Sequence, residues 1–231
     1  MKVSKLSLVA LLALGMTIPA AVSLAGDDKA KKDDKQAQQD KNEKKDKKDD
    51  KKAEGVAVGS VAPGFELTDT DGKAIKLSDF AGKIVVLQWF NPGCPFVKKH
   101  YDGANTFNEL NKKYSDKGVV FLAINSGAAG KEGAGKDTNA TAKKDWKIEY
   151  PVLLDEAGTV GKTYGATRTP EMFVLDKEGK VVYHGAIDDN KDMKGTGKTN
   201  YVAKALDEVL AGKPVTTAET KAYGCTVKYG K

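Results

Sequence analysis

The stretch from Lys83 to Tyr101, Lys-Ile-Val-Val-Leu-Gln-Trp-Phe-Asn-Pro-Gly-Cys-Pro-Phe-Val-Lys-Lys-His-Tyr, limits what this chain can become more than any other. The run Ile84 to Phe90 is too short for an ordinary helix and is rich in β-branched and aromatic residues, so it reads as a buried strand. Asn91-Pro92-Gly93 then turns the chain. Pro95 suits the first turn of a helix, expected to run to about Ser115 with Phe96 or Val97, Tyr101, Phe107 and Leu110 facing the core. Cys94 therefore lies at a helix start, where unpaired N–H groups and the positive end of the helix dipole favour a thiolate. Lys98 and Lys99 are expected to add positive potential there.

The 231 residues are not uniform in composition. Lys2 and Lys5 precede an apolar stretch from Leu6 to about Met16, and Ser23-Leu24-Ala25 fits a small-x-small cleavage site, so residues 1–25 read as a secretory signal peptide. Residues 26–54 hold 11 Lys against eight Asp and two Glu, with no apolar side chain larger than Ala, and read as a disordered charged linker. Of the formal net charge of +6, about +3 is left for residues 55–231. The basic isoelectric point is thus weak evidence for a nucleic-acid partner.

Residues 55–231 have the length of one globular domain. Phe65 to Thr68, the turn Asp71-Gly72 and Lys73 to Leu77 predict a hairpin. Val119 to Asn125 is a second continuous apolar strand, and strand, helix, strand implies a parallel crossover. A helix capped by Thr138 or Asn139 runs through Trp146, followed by a strand-like Tyr150 to Asp155 and a short helix from Ala157 to Tyr164. Arg168-Thr169-Pro170 then opens an antiparallel pair, Glu171 to Asp176 and Lys180 to Gly185, and Tyr201 to Leu210 forms the last helix. Two stretches imitate phosphate loops. Gly130 to Lys136 has the G-x-x-x-x-G-K spacing but continues with Asp137, where Ser or Thr is needed. Gly195 to Thr199 ends in G-K-T, with Asp192 in place of the first glycine. Both read as flexible loops.

The chain contains two cysteines, Cys94 and Cys225. A signal peptide leads to an oxidising compartment, where a thiol at a helix start and another in the tail suggest pairing. If Cys94 attacks a peroxide it becomes a sulfenic acid, and Cys225 can condense with it as the resolving thiol. If Cys94 attacks a disulfide, Cys225 can release the mixed disulfide by exchange. A static Cys94–Cys225 staple in a non-catalytic module is the third reading. His100 lies six residues after Cys94, on another helix face, so the two do not form a metal pair.

The order of elements, the Asn91 to Phe96 helix start and the Thr169-Pro170 strand entry resemble the thioredoxin-like superfamily. Pro63 to Lys73, followed by Leu77 to Leu87, resembles its alkyl hydroperoxide reductase/thiol-specific antioxidant branch, the redoxins and peroxiredoxin-like proteins, and the ending Gly224-Cys225-Thr226-Val227-Lys228 resembles an exported subgroup. The resemblance implies an α/β fold, a central mixed sheet flanked by helices with an N-terminal β-hairpin extension. It makes Pro170 a cis-proline facing the active cysteine and places Arg168 near where a thiolate-stabilising arginine enters. Its departures are specific. Asn91 replaces the first cysteine of the thioredoxin C-x-x-C, and it also replaces the peroxiredoxin threonine, where its amide could donate to a thiolate or a peroxide oxygen. The expected chain is an exported, periplasmic or extracellular thiol-dependent oxidoreductase, with peroxide reduction as the first reading. Its site would be Cys94, Cys225, Asn91, Pro170 and Arg168, with no cofactor and no metal. Its partners would be a peroxide or protein disulfide substrate and a thioredoxin-like reductant protein, with no nucleic acid and no stable membrane insertion after signal cleavage.

Overall fold

The computed structural model describes residues 55–231, so the expected signal peptide and charged linker lie outside the described residues. The apolar run forms β3 of a seven-stranded mixed sheet. In chain order the strands are β1 (Glu66–Asp69), β2 (Ala74–Lys76), β3 (Ile84–Trp89), β4 (Val119–Asn125), β5 (Val152–Leu154), β7 (Glu171–Leu175) and β8 (Val181–Gly185). A separate two-stranded ribbon joins β6 (Arg168–Thr169) to β9 (Cys225–Thr226). The sheet order is β2-β1-β5-β4-β3-β7-β8. Strand β4 runs parallel to β3 and β5, while β7 pairs antiparallel with β3 and β8. The β1–β2 hairpin continues the sheet, because β1 also pairs with β5.

Strand β3 is apolar at nearly every position because both of its faces are covered. Ile84 and Val86 enter a cluster with Val97, Phe107, Leu110 and Leu206, while Val85, Leu87 and Trp89 enter another with Leu122, Tyr164 and Phe173. The first cluster draws on α1 (Pro95–Lys98), α2 (Thr106–Tyr114) and α5 (Tyr201–Leu210); the second uses α4 (Thr159–Tyr164). Full burial of a side chain such as Leu87 contributes about 1.5–3 kcal/mol. Helix α5 starts where its sequence suggests, with the Asn200 side chain accepting the Ala203 N–H at 2.8 Å.

Two predicted helices differ in detail. The helix expected from Pro95 to Ser115 is broken: α1 passes into a π-helical turn, Lys99–Gly103, and Asn105 then takes a left-handed conformation (φ 49°) before α2. Asparagine tolerates that region better than most residues, so the chain bends there without glycine. Helix α3 (Lys136–Asp145) starts before Thr138, with Gly135 at its cap position. Asn139 does not cap it from outside. Its buried amide donates to the Gly133 and Gly135 carbonyls at 3.1 and 2.7 Å, and its oxygen accepts from Asn125 at 2.8 Å. Among the described residues no helix is long and apolar enough to cross a membrane.

Candidate active site

At the end of β3 the Asn91-Pro92-Gly93 turn is braced by Asn91. Its oxygen accepts the Gly93 N–H at 2.7 Å, and its NH2 group donates to the Glu132 carbonyl at 3.0 Å. A Cβ at Gly93 would run into the Glu132 side chain, and one at Gly133 into the Asn91 amide. The Gly- and Ala-rich loop therefore closes over the turn, using its glycines for close approach. In this arrangement the Asn91 amide is engaged with that loop.

Cys94 occupies the cap position before Pro95, but its thiol does not cap the helix. The Sγ–H instead donates to the Thr169 carbonyl at 3.0 Å, and the residue is only 1 % exposed. Lys99 also departs from expectation. Its ammonium donates to the carbonyls of Asn190 and Asp192, both at 2.8 Å, and so is spent away from the sulfur. Burial lowers the Lys99 pKa, against the pull of Asp188 and Asp192.

Thr169 is held by the corner that follows it. The Thr169–Pro170 peptide is cis. Buried Glu171 turns back on the same corner: one oxygen accepts the N–H groups of Thr167 and Arg168 at 2.7 and 2.8 Å, and the other accepts from His184 Nε2 at 2.8 Å. Arg168 enters this arrangement through its backbone N–H, while its side chain lies on the partly exposed β6.

The tail supplies the second sulfur. Strand β9 pairs antiparallel with β6, setting Cys225 opposite Thr169, the residue whose carbonyl accepts the Cys94 thiol. Beyond it the Val227 N–H donates to the Thr167 carbonyl at 3.1 Å, the Ala128 N–H to the Lys228 carbonyl at 2.9 Å, and the Tyr229 hydroxyl to the Ala166 carbonyl at 2.8 Å. Before it lies Gly224 at φ +114°, where any Cβ would collide with the Thr169 carbonyl. Both cysteines are free thiols, and Cys225 packs against the core cluster that contains Cys94. The Cys225 thiol is pushed up to about 12, first by burial and then by the neighbouring Cys94; Lys228 opposes this and Glu132 adds to it. Of the residues singled out in the sequence, Cys94, Cys225 and Pro170 thus meet at one corner. Glu171 also builds it, through contacts that no sequence motif announces.

This arrangement can be set beside known proteins. A family model described as Redoxin matches residues 57–202. A thiol-disulfide oxidoreductase ResA from Bacillus thuringiensis subsp. konkukian is 35% identical over 134 residues, 57% of this chain and 70% of that protein. Among solved structures, an uncharacterized conserved protein from Geobacillus kaustophilus superposes with a TM-score of 0.70 at 31% identity, over 77% of this chain and 94% of that one. A hypothetical protein from Sinorhizobium meliloti 1021 gives 0.67 at 30% identity, over 76% and 96%.

Proposed function

The chain belongs to the Redoxin family, and on that premise we propose that it is a thiol–disulfide oxidoreductase in which Cys94 and Cys225 form the exchanging pair. The observation that carries this reading is the meeting of two free thiols at the Thr169 corner. Similarity to proteins named as thiol-disulfide oxidoreductases supports it. Peroxide reduction, the first reading of the sequence, has less behind it, because the relatives with a named activity are thiol-disulfide oxidoreductases.

The reaction begins with β9 lifting from β6, since Cys94 is buried while the tail is seated. The Cys94 thiolate attacks one sulfur of a protein disulfide. That S–S bond breaks, its other sulfur leaves as a thiolate and takes up a proton, and Cys94 holds a mixed disulfide. The tail then reseats, and Cys225 loses its proton and attacks the Cys94 sulfur. The substrate's second sulfur leaves, the substrate has gained two electrons, and Cys94 is joined to Cys225. Burial first, and the neighbouring Cys94 after it, raise the Cys225 pKa; a mixed disulfide on Cys94 removes the second contribution and leaves the first. Cys225 thus becomes more acidic when it has to attack. A dithiol reductant, of thioredoxin-like type by family resemblance, returns the pair to thiols. Export to an oxidising compartment fits this chemistry, and the N-terminal signal pattern is its basis.

In an insulin-reduction assay with a regenerating dithiol, the reduced protein is expected to turn over. Cys94→Ser should fall to the background of the dithiol alone. Full activity in Cys94→Ser would remove Cys94 from the mechanism.

A further inference from the structure

A two-residue ribbon such as β6–β9 is marginal by itself, so other contacts must seat the tail that carries Cys225. Upstream, the nearest lies two residues away at Tyr223. Its ring is buried edge-on against Phe96 (centroids 6.0 Å apart, planes at 61°), with the Lys99 ammonium 4.8 Å from its centre. Its hydroxyl donates to Asp188 Oδ1 at 2.5 Å and lies 3.2 Å from His100 Nε2. The buried Asp188 carboxylate also accepts the N–H groups of Asn190 at 3.1 Å and Gly197 at 2.7 Å. His100 is fully buried, with Nδ1 3.1 Å from the Thr106 hydroxyl.

The protons in this network have one consistent order. Burial lowers His100 to about 4, with Asp188 raising it and Lys99 lowering it further, so the ring is neutral and carries one N–H. Because Tyr223 gives its proton to Asp188, it accepts from Nε2–H of His100, and Nδ1 accepts from Thr106. His100 stands on the π-helical turn that continues α1, the helix opened by Cys94. Only Gly224 separates Tyr223 from Cys225, and that glycine passes directly against the Thr169 carbonyl. The tail is therefore pinned to the same segment that presents Cys94, immediately before its own sulfur.

We propose that Tyr223, held by Asp188 and His100, is the positioning residue that keeps Cys225 within reach of Cys94, a role that rests on the exchange reading above. Tyr223→Phe keeps the ring on Phe96 but removes the hydroxyl, leaving a buried carboxylate and a buried ring N–H each short of a partner. The tail then spends more time unseated, and the effective concentration of Cys225 at Cys94 falls.

The test equilibrates the full chain in glutathione buffers of graded ratio and reads the Cys94–Cys225 disulfide by mass. A second measurement follows the rate at which Cys225 displaces thionitrobenzoate from an adduct on Cys94. Tyr223→Phe should lower both constants about tenfold, the factor expected for a hydrogen bond to a buried charged group. Asp188→Asn should shift both in the same direction, and it decides the matter if Tyr223→Phe does not fold. A merely structural role would lower the melting temperature without moving either constant. Folded variants with wild-type constants overturn this proposal and leave the exchange reading standing. A wild-type protein that forms no Cys94–Cys225 disulfide overturns both.

Discussion

Mixed with insulin, reduced Cys225→Ser protein is expected to stop half-way, with a mixed disulfide on Cys94 in near-stoichiometric yield, under conditions where the wild type accumulates none. The chain contains two cysteines, so removing Cys225 leaves no internal thiol to attack the adduct. Release then depends on thiols from solution. At millimolar concentration these are slower than a seated internal thiol by about a thousandfold or more, because the internal reaction needs no encounter. The tail can still fold back on the adduct, since its contacts at Thr167, Ala128 and Ala166 do not use the Cys225 sulfur. A non-reducing gel and intact mass measure the yield. Cys94→Ser should give no adduct, because burial, the first cause that holds the Cys225 proton, persists without Cys94, and that sulfur lies in the tail. An adduct on Cys225 in that variant would reverse the assigned order of attack.

The second large effect concerns the corner under the two sulfurs. Glu171→Ala is expected to destabilise the domain by about 3–5 kcal/mol, because the N–H groups of Thr167 and Arg168 and the His184 ring N–H lose a shared buried acceptor. At this size that corresponds to a fall in melting temperature on the order of 10 °C. Glu171→Gln keeps an oxygen for the two backbone donors and sets an NH2 group against the His184 ring, so its cost should be about 1 kcal/mol. Thermal melts of the reduced proteins check both. A fall of only a degree or two in Glu171→Ala would mean that β6 is held by other contacts, chiefly the tail. The corner would then depend on β9, where the structure has β9 resting on the corner.

What could be read from the sequence, and what could not, follows from how local each signal is. Strand β3, its turn, Cys94 and the helix start are neighbours in the chain, and their periodicity and punctuation carried through to the structure. The β1–β2 and β7–β8 pairs and helix α5 were legible for the same reason. The left-handed conformation of Asn105, inside the expected helix, had no periodic signal. The amide of Asn91 was legible as a polar group at the turn, while the carbonyl that accepts from it stands on a loop some forty residues later. The glycines of that loop, which imitate a phosphate loop, serve close approach to the turn. The tail was the least legible part. Two strand residues and one tyrosine give no periodic signal, and their partners Thr169, Asp188 and His100 come from three separate segments.

The measurement that bears most directly on the central claim is a side-by-side stopped-flow comparison of the reduced protein against oxidised insulin and hydrogen peroxide. The Trp89 and Trp146 fluorescence is followed, and the product is identified by mass. The disulfide substrate should convert Cys94 and Cys225 to their intramolecular disulfide at a rate that sustains turnover. Peroxide should react no faster than it does with free cysteine at the same pH. Rapid oxidation by peroxide, with a sulfenic acid on Cys94 in Cys225→Ser and no reaction with insulin, would contradict that claim and make the protein a peroxidase.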